Sequence, residues 1–168
     1  MFADTPRQRR WLNFAGLAAV VGLMAYALFA EHVLGLEACP LCIFQRMAFI
    51  AMGVVFFAAG AHRPAGLAAR GYGLAGAGAA VVGGGIAARH FYIQNLPADQ
   101  IPACGPGLDY IMDAFPLLEA LSLVFTGSGE CAEINWSFLG LSMPGWTFIW
   151  FLLLGAVAIA ANWKPIGS

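Results

Sequence analysis

The chain has 168 residues, of which 61% are hydrophobic and 10% are charged, with a mean hydropathy of +0.77 and a formal net charge of −1. Because roughly a quarter of the residues in soluble domains are charged, this composition excludes an ordinary soluble domain and indicates an integral membrane protein. We expect a single membrane domain over residues 1–168, embedded in the lipid bilayer, with no nucleic-acid partner.

Four apolar segments predict four membrane-spanning helices, because about 20 apolar residues cross the hydrocarbon core as a helix. They cover residues 11–30, 41–61, 71–90 and 146–163. The first run is longer than the apolar core of a cleaved signal peptide, so it is predicted to remain as a span. The third is rich in Gly and Ala, which predicts close packing inside a bundle rather than a lipid-facing helix. The expected fold class is an all-α membrane protein with a four-transmembrane-helix bundle.

The basic residues set the expected orientation, because cytoplasmic loops retain Lys and Arg. In a four-span arrangement six of them fall on one side: Arg7, Arg9, Arg10, Arg63, Arg70 and Lys164. We therefore predict cytoplasmic termini and two periplasmic loops, at residues 31–40 and 91–145. Thiols in these loops would meet an oxidising space outside a bacterial inner membrane, where disulfides persist.

The long second loop predicts a mobile segment that carries two cysteines. Prolines and a glycine surround Cys104, and the Thr126–Gly129 run predicts a flexible hinge before Cys131. Between them, acidic and apolar residues alternate over Tyr110–Phe125. This mix predicts a short helix on the membrane surface, with a collapsed hydrophobic cluster over the bundle as the alternative. A cysteine on such a loop can reach a partner protein and swing back.

The motif Cys39-Pro40-Leu41-Cys42 opens the second span and predicts a redox-active pair. Disulfide exchange needs a thiolate, which both a helix N-terminus and a nearby cation stabilise. Cys42 is predicted in the first helical turn, with Arg46 one turn later on the same face. Cys39 precedes the helix and is expected to be the more exposed thiol. The alternatives are a structural disulfide and, for Arg46, an interfacial anchor.

Metal and haem sites are not expected. Haem attachment is excluded because Ile43, not a histidine, follows Cys42. Zinc sites made of four cysteines use two close pairs, whereas Cys104 and Cys131 are 27 residues apart. The four cysteines can pair in three ways, and their spacing does not choose among them.

Polar residues at the outer end of the third span are further candidates. His90 can hydrogen-bond a carbonyl or exchange a proton near neutral pH, which makes it a candidate ligand-binding residue. Arg89 and Gln94 are as consistent with a polar collar at the membrane interface, so their role stays open.

These residues and their order resemble the DsbB disulfide-bond formation proteins of the bacterial inner membrane. The resemblance rests on Cys39 to Cys42 with Arg46, on Arg89-His90 at the end of the third span, and on Cys104 alone in the outer loop. It continues with Gly129-Glu130-Cys131-Ala132 and the stretch from Trp136 to Trp146. A C-x-x-C alone is unspecific, but all these features in this order, over nearly the whole chain, are specific.

The resemblance implies a membrane thiol oxidase that reoxidises a periplasmic DsbA-like thioredoxin-fold protein. The electrons would pass to a membrane quinone, either ubiquinone or menaquinone, and so sustain disulfide formation. By position, Cys104 would form the mixed disulfide with the reduced partner, and Cys131 would be its disulfide mate.

The resemblance also implies roles for the residues at the membrane. Cys39 and Cys42 would receive the electrons by thiol exchange, with Cys42 facing the quinone. Arg46 and His90 would bind or activate the quinone ring, since a cation steadies charge that develops on its oxygen. Arg89 departs from the common family pattern, so no role is carried over for it.

Two other functions remain open. A vitamin-K-epoxide-reductase-like protein also combines four helices with a C-x-x-C, but there the motif normally comes late in the chain. A non-enzymatic four-span scaffold would use its cysteines as structural disulfides. Such bridges would stay oxidised when quinone is withheld, whereas catalytic pairs would accumulate in the reduced form.

Overall fold

A computed structural model describes residues 5–101 and 129–163. Within these residues lie four long helices, α1 (Pro6–His32), α2 (Pro40–His62), α3 (Gly66–Gln94) and α4 (Met143–Asn162). Each is long and apolar enough to cross a membrane, which confirms the four-helix membrane bundle. The first three helices extend beyond the expected spans, α3 by more than a turn at each end. Helix α4 begins before its expected span and ends one residue short of it. The helix expected over Tyr110–Phe125 lies outside the described residues.

The starts of α1 and α2 follow from capping residues in the sequence. Thr5 Oγ1 accepts a hydrogen bond from the Gln8 amide at 3.2 Å, and a proline occupies the first turn of each helix. Cys39 caps α2 in the same way, because its sulfur accepts from the Cys42 amide at 3.4 Å. The first cysteine of the C-x-x-C is therefore also the residue that starts the helix.

The four helices form a closed ring in which α1 and α3 each pack against both α2 and α4. Large apolar side chains such as Val54, Phe57, Leu74 and Leu153 point outward and are exposed. An apolar exterior of this kind is suited to lipid. The C-x-x-C and His90 lie at one end of the bundle, and the α2–α3 turn lies at the other.

Glycines of α3 set its distance from α4. A Cβ on Gly83 would overlap the ring of Phe151, and one on Gly76 would lie 2.7 Å from the Ala158 Cβ. Phe151 in turn stacks on Phe49 of α2, with ring centroids 4.0 Å apart. The expected close packing therefore holds for one face of α3. The expectation that α3 avoids lipid is wrong for its other face, where side chains such as Leu74 are exposed.

Buried polar side chains join the helices at the end far from the C-x-x-C. Arg9 donates from Nε to the Ala161 carbonyl at 3.1 Å and from Nη1 to the Pro64 carbonyl at 2.6 Å. The amides of Asn13 and Asn162 donate to each other at 3.3 and 3.1 Å. Within lipid no water is available to replace these hydrogen bonds, so polar groups must find partners in the protein. The contacts therefore join α1, the α2–α3 turn and α4.

A short hairpin leads the chain into α4. Its two antiparallel strands are Ser137–Phe138 and Leu141–Ser142. The turn between them uses positive φ at Leu139 and Gly140, of +52° and +79°. The indole nitrogen of Trp146 donates to the Phe138 carbonyl at 3.0 Å, which fixes the hairpin on the first turn of α4.

Gly83→Ala tests the packing of α3 on α4. The added methyl group meets the Phe151 ring, so we expect a loss of stability of about 1–3 kcal/mol. Thermal unfolding in detergent, followed by circular dichroism, measures the loss. Gly78→Ala is the matched control, because it lies on the same helix with nothing within 4 Å of its Cβ. Equal destabilisation by both changes would contradict the packing argument.

Candidate functional site

The start of α2 brings two thiols together. The Sγ atoms of Cys39 and Cys42 lie 3.1 Å apart, and Cys42 occupies the first turn of the helix, as expected. The expected order of exposure is wrong: Cys39 is buried and Cys42 is partly exposed. Cys39 packs in an apolar cluster with Cys131 and Leu41, whereas Cys42 only borders that cluster. The outer chain segment thus covers the first thiol and leaves the second open.

His90 on α3 lies between the cysteines. Its Nε2 is 3.7 Å from Cys39 Sγ and its Nδ1 is 4.0 Å from Cys42 Sγ. Nε2 also lies 3.1 Å from the carbonyl oxygen of Cys131, whose side chain is buried. The structure therefore brings His90 and three of the four expected cysteines into one cluster. Cys104 lies outside the described residues.

The sequence interpretation missed two residues beside His90: Gln45, which contacts the ring, and Thr147, which contacts Gln45. The side-chain amide nitrogen of Gln45 lies 3.1 Å from His90 Nδ1, and its oxygen lies 2.6 Å from Thr147 Oγ1. Gln45 is only 3% exposed. A glutamine one turn after Cys42 in an apolar helix was a usable signal, because a buried amide needs hydrogen-bond partners. Thr147 gave no such signal, since threonine hydroxyls commonly bond to the backbone of their own helix.

Arg46 forms an ion pair with Glu31, the acidic residue near the end of α1. Its Nη2 also donates to the Ala27 carbonyl at 3.4 Å. The sequence interpretation placed Glu31 only in the outer loop. The ion pair could have been anticipated from an ionisable residue at the end of an apolar span, because a charge there is costly without a partner. The guanidinium thus reaches the site with part of its charge balanced.

Arg89 and Gln94, whose role stayed open, make different kinds of contact. The Arg89 guanidinium lies over the ring of Tyr92, 5.5 Å from its centroid. The Gln94 amide nitrogen donates to the Glu133 carbonyl at 3.3 Å. Neither side chain lines the apolar cavity that opens between α1, α2 and α4.

An apolar cavity of about 200 Å³ opens beside Cys42, between α1, α2 and α4. Its lining includes the side chains of Cys42, Gln45, Arg46 and Thr147. Aromatic side chains form much of its wall: Tyr26, Phe49, Trp136, Trp146 and Trp150. Such a cavity suits a flat apolar ligand with hydrogen-bond acceptors at one edge.

A second, smaller pocket of about 70 Å³ also borders Cys42. It is lined by Cys39 and His90 and by three acidic residues, Glu37, Glu130 and Glu133. Cys42 therefore borders both an apolar cavity and a polar pocket.

The ligand atoms of Cys39, Cys42 and His90 lie within 4.8 Å of one another, a spacing that could hold a metal ion. Both ring nitrogens of His90, however, already face hydrogen-bond partners, Gln45 and the Cys131 carbonyl. A metal would have to displace one of them. The expectation of no metal stays a prediction.

Known proteins match this chain over most of its length. A family model described as Disulfide bond formation protein DsbB matches residues 9–161. A relative named Disulfide bond formation protein B from Nitrosococcus oceani is 49% identical over 150 residues, which cover 89% of each chain. One of the same name from Saccharophagus degradans is 50% identical over 153 residues, covering 91% of this chain and 90% of the relative. The chain therefore belongs to the DsbB family and is a multi-pass inner-membrane thiol oxidase that acts in disulfide bond formation.

Proposed function

We propose that the protein reoxidises a periplasmic DsbA-like thioredoxin-fold protein and passes its electrons to a membrane quinone. In this proposal both termini are cytoplasmic, and the four cysteines act on the periplasmic side. The electrons move through two cysteine pairs, Cys104 with Cys131 and then Cys39 with Cys42. Each step exchanges one dithiol for one disulfide, so two electrons and two protons move together.

The position of Cys42 between two unlike pockets carries the proposal. The polar pocket is lined by Cys39, Glu130 and Glu133, so a dithiol from the outer loop can approach through it. The apolar cavity is walled by aromatic rings, which suits a lipid-soluble acceptor. A thiol that must take electrons from a protein and give them to a membrane ligand needs access to both.

The residues of the cavity fit the head group of a quinone. A quinone supplies a two-electron acceptor with two ring carbonyl oxygens. Arg46 has donors beyond those that contact Glu31 and the Ala27 carbonyl, so it can donate to such an oxygen. Trp146 and Trp150 offer flat surfaces for the ring, and the apolar wall excludes water. His90 acts beside the cavity, through its contacts with Cys42 and Gln45.

The contacts of Cys131 support the transfer between the two pairs. Cys131 is buried in the same cluster as Cys39, and its carbonyl faces His90. In the proposed sequence a thiolate of the reduced partner attacks the Cys104–Cys131 disulfide at Cys104 and releases Cys131 as a thiolate. The Cys131 thiolate then attacks the Cys39–Cys42 disulfide at Cys39 and releases Cys42. The burial of Cys131 keeps this exchange away from competing thiols in solution.

Stopped-flow mixing of the protein with reduced partner and ubiquinone or menaquinone tests the proposal. We expect quinone reduction to match partner oxidation, and Cys42→Ser to abolish both, because the last sulfur before the acceptor is removed. Cys42→Ser protein that still turns over would contradict the relay. In the wild type, thiol trapping without quinone should show reduced pairs, whereas a scaffold with structural bridges would stay oxidised.

Arg46→Ala is expected to raise the apparent KM for quinone about tenfold or more, because a charge-assisted hydrogen bond is worth roughly 1.5–3 kcal/mol. His90→Ala should raise it more mildly, since His90 does not line the cavity. Steady-state kinetics with varied quinone and saturating partner measure both. Arg89→Ala is the matched control, because its guanidinium lies over Tyr92 outside the cavity. An unchanged KM for both Arg46→Ala and His90→Ala would contradict the proposed ring site.

A further inference from the structure

Thr147 faces two oxygen atoms with a single hydrogen to donate. Its Oγ1 lies 2.6 Å from Gln45 Oε1 and 2.9 Å from the Pro144 carbonyl oxygen. A hydroxyl donates only one hydrogen bond, so one of these contacts lacks a donor while the Gln45 oxygen faces Thr147. The two ends of a glutamine amide have nearly the same shape, so Gln45 can turn over without a change in packing.

With its nitrogen towards His90, Gln45 matches a neutral imidazole. The amide donates to Nδ1 at 3.1 Å, so Nδ1 carries no proton. Nε2 lies 3.1 Å from the Cys131 carbonyl oxygen and therefore carries the hydrogen. Thr147 then donates to Gln45 Oε1.

With its oxygen towards His90, Gln45 matches an imidazolium. Nδ1 must now donate to Gln45, while Nε2 still donates to the Cys131 carbonyl. The turned amide nitrogen donates to Thr147 Oγ1, and the Thr147 hydroxyl donates its hydrogen bond to the Pro144 carbonyl. Both short contacts of Thr147 become hydrogen bonds in this arrangement. Each protonation state of His90 thus has a matching orientation of Gln45.

We propose that Gln45 and Thr147 are positioning residues that form an amide switch, which lets His90 gain and lose a proton at Nδ1. The proton comes from Cys42, whose Sγ lies 4.0 Å from Nδ1. The transfer converts the Cys42 thiol and the neutral imidazole into a thiolate and an imidazolium, and no other bond changes. The inference rests on the proposed role of Cys42 as the electron-delivering thiol.

Burial explains why such a switch is needed. Gln45 and His90 are each only 3% exposed, so solvent does not replace a hydrogen bond that the proton transfer breaks. A fixed donor at the Gln45 position would oppose the imidazolium, and a fixed acceptor would oppose the neutral ring. An amide backed by a hydroxyl serves both, because each group can donate or accept.

The pH dependence of Cys42 alkylation tests the switch without quinone or partner. Reduced protein is treated with iodoacetamide, and the rate at Cys42 is resolved by mass spectrometry. Thr147→Val keeps the side-chain shape but removes the hydroxyl. We expect it to shift the pH profile and to slow alkylation at neutral pH about fivefold, which corresponds to the loss of one hydrogen bond. Thr147→Ser should restore both.

Ser142→Ala is the matched control for loss of a hydroxyl. Ser142 precedes α4, and its buried Oγ has no hydrogen-bond partner among the described residues. Its profile should coincide with that of the wild type. A shift as large as that of Thr147→Val would overturn the inference.

Gln45→Glu is the second variant. A carboxylate accepts but does not donate, so it holds the proton on Nδ1, and alkylation should lose its pH dependence across the neutral range. A wild-type profile in Gln45→Glu, or in folded Thr147→Val, overturns the switch. The other ionisable side chains around His90 and Cys42 are unchanged in these variants: Glu31, Glu37, Cys39, Arg46, Glu130, Cys131 and Glu133. Failure of the wild type to reduce any quinone would instead overturn the proposed acceptor, because alkylation needs none.

Discussion

The hydrogen bonds of His90 are the constraint on which the arrangement of the site depends. One ring nitrogen faces Gln45 of α2, and the other faces the backbone of Cys131. Thr147 extends the chain to α4. Three helices and the outer segment therefore meet at one buried ring. Because few alternative partners exist at this depth, the positions of these elements are linked, and the sulfur atoms come close as a result.

The small residues of α3 make this meeting point possible. His90 lies two turns after Gly83, where the ring of Phe151 packs directly on the α3 backbone. Without that close approach, α4 would stand farther off and Thr147 would not reach Gln45. The hydrogen-bonded chain of His90, Gln45 and Thr147 therefore depends on the apolar packing of α3 against α4 two turns away. Packing of this kind replaces the hydrophobic effect, which does not drive helices together within lipid.

Local patterns in the sequence predicted the four long helices and part of the site, but not the hairpin before α4. The four helices, the position of Cys42 in a first turn and the candidacy of His90 followed from apolar runs, motif spacing and residue type. The contacts of Glu31 with Arg46 and of Gln45 with Thr147 did not. They depend on the rotation of each helix about its axis, and a helix that is apolar all round gives little sign of which side faces its neighbours.

The exposure of the two thiols shows the same limit. The order along the chain suggested that Cys39, which precedes the helix, would be the more open. The opposite holds because the segment around Cys131, distant in sequence, covers it. A short motif describes the neighbours of a residue along the chain. It does not show whether a segment distant in sequence covers that residue in the folded protein.

One atom, the sulfur of Cys39, combines a structural role with a proposed chemical one. It accepts the hydrogen bond that begins α2. In the proposed relay it also belongs to the pair that exchanges electrons. A thiol, a thiolate and a disulfide differ as acceptors, so each change of oxidation state alters how firmly the Cys42 amide is held. If the proposed relay operates, the hydrogen bond at the Cys42 amide changes with the oxidation state of Cys39, and the amide signal of Cys42 reports that state.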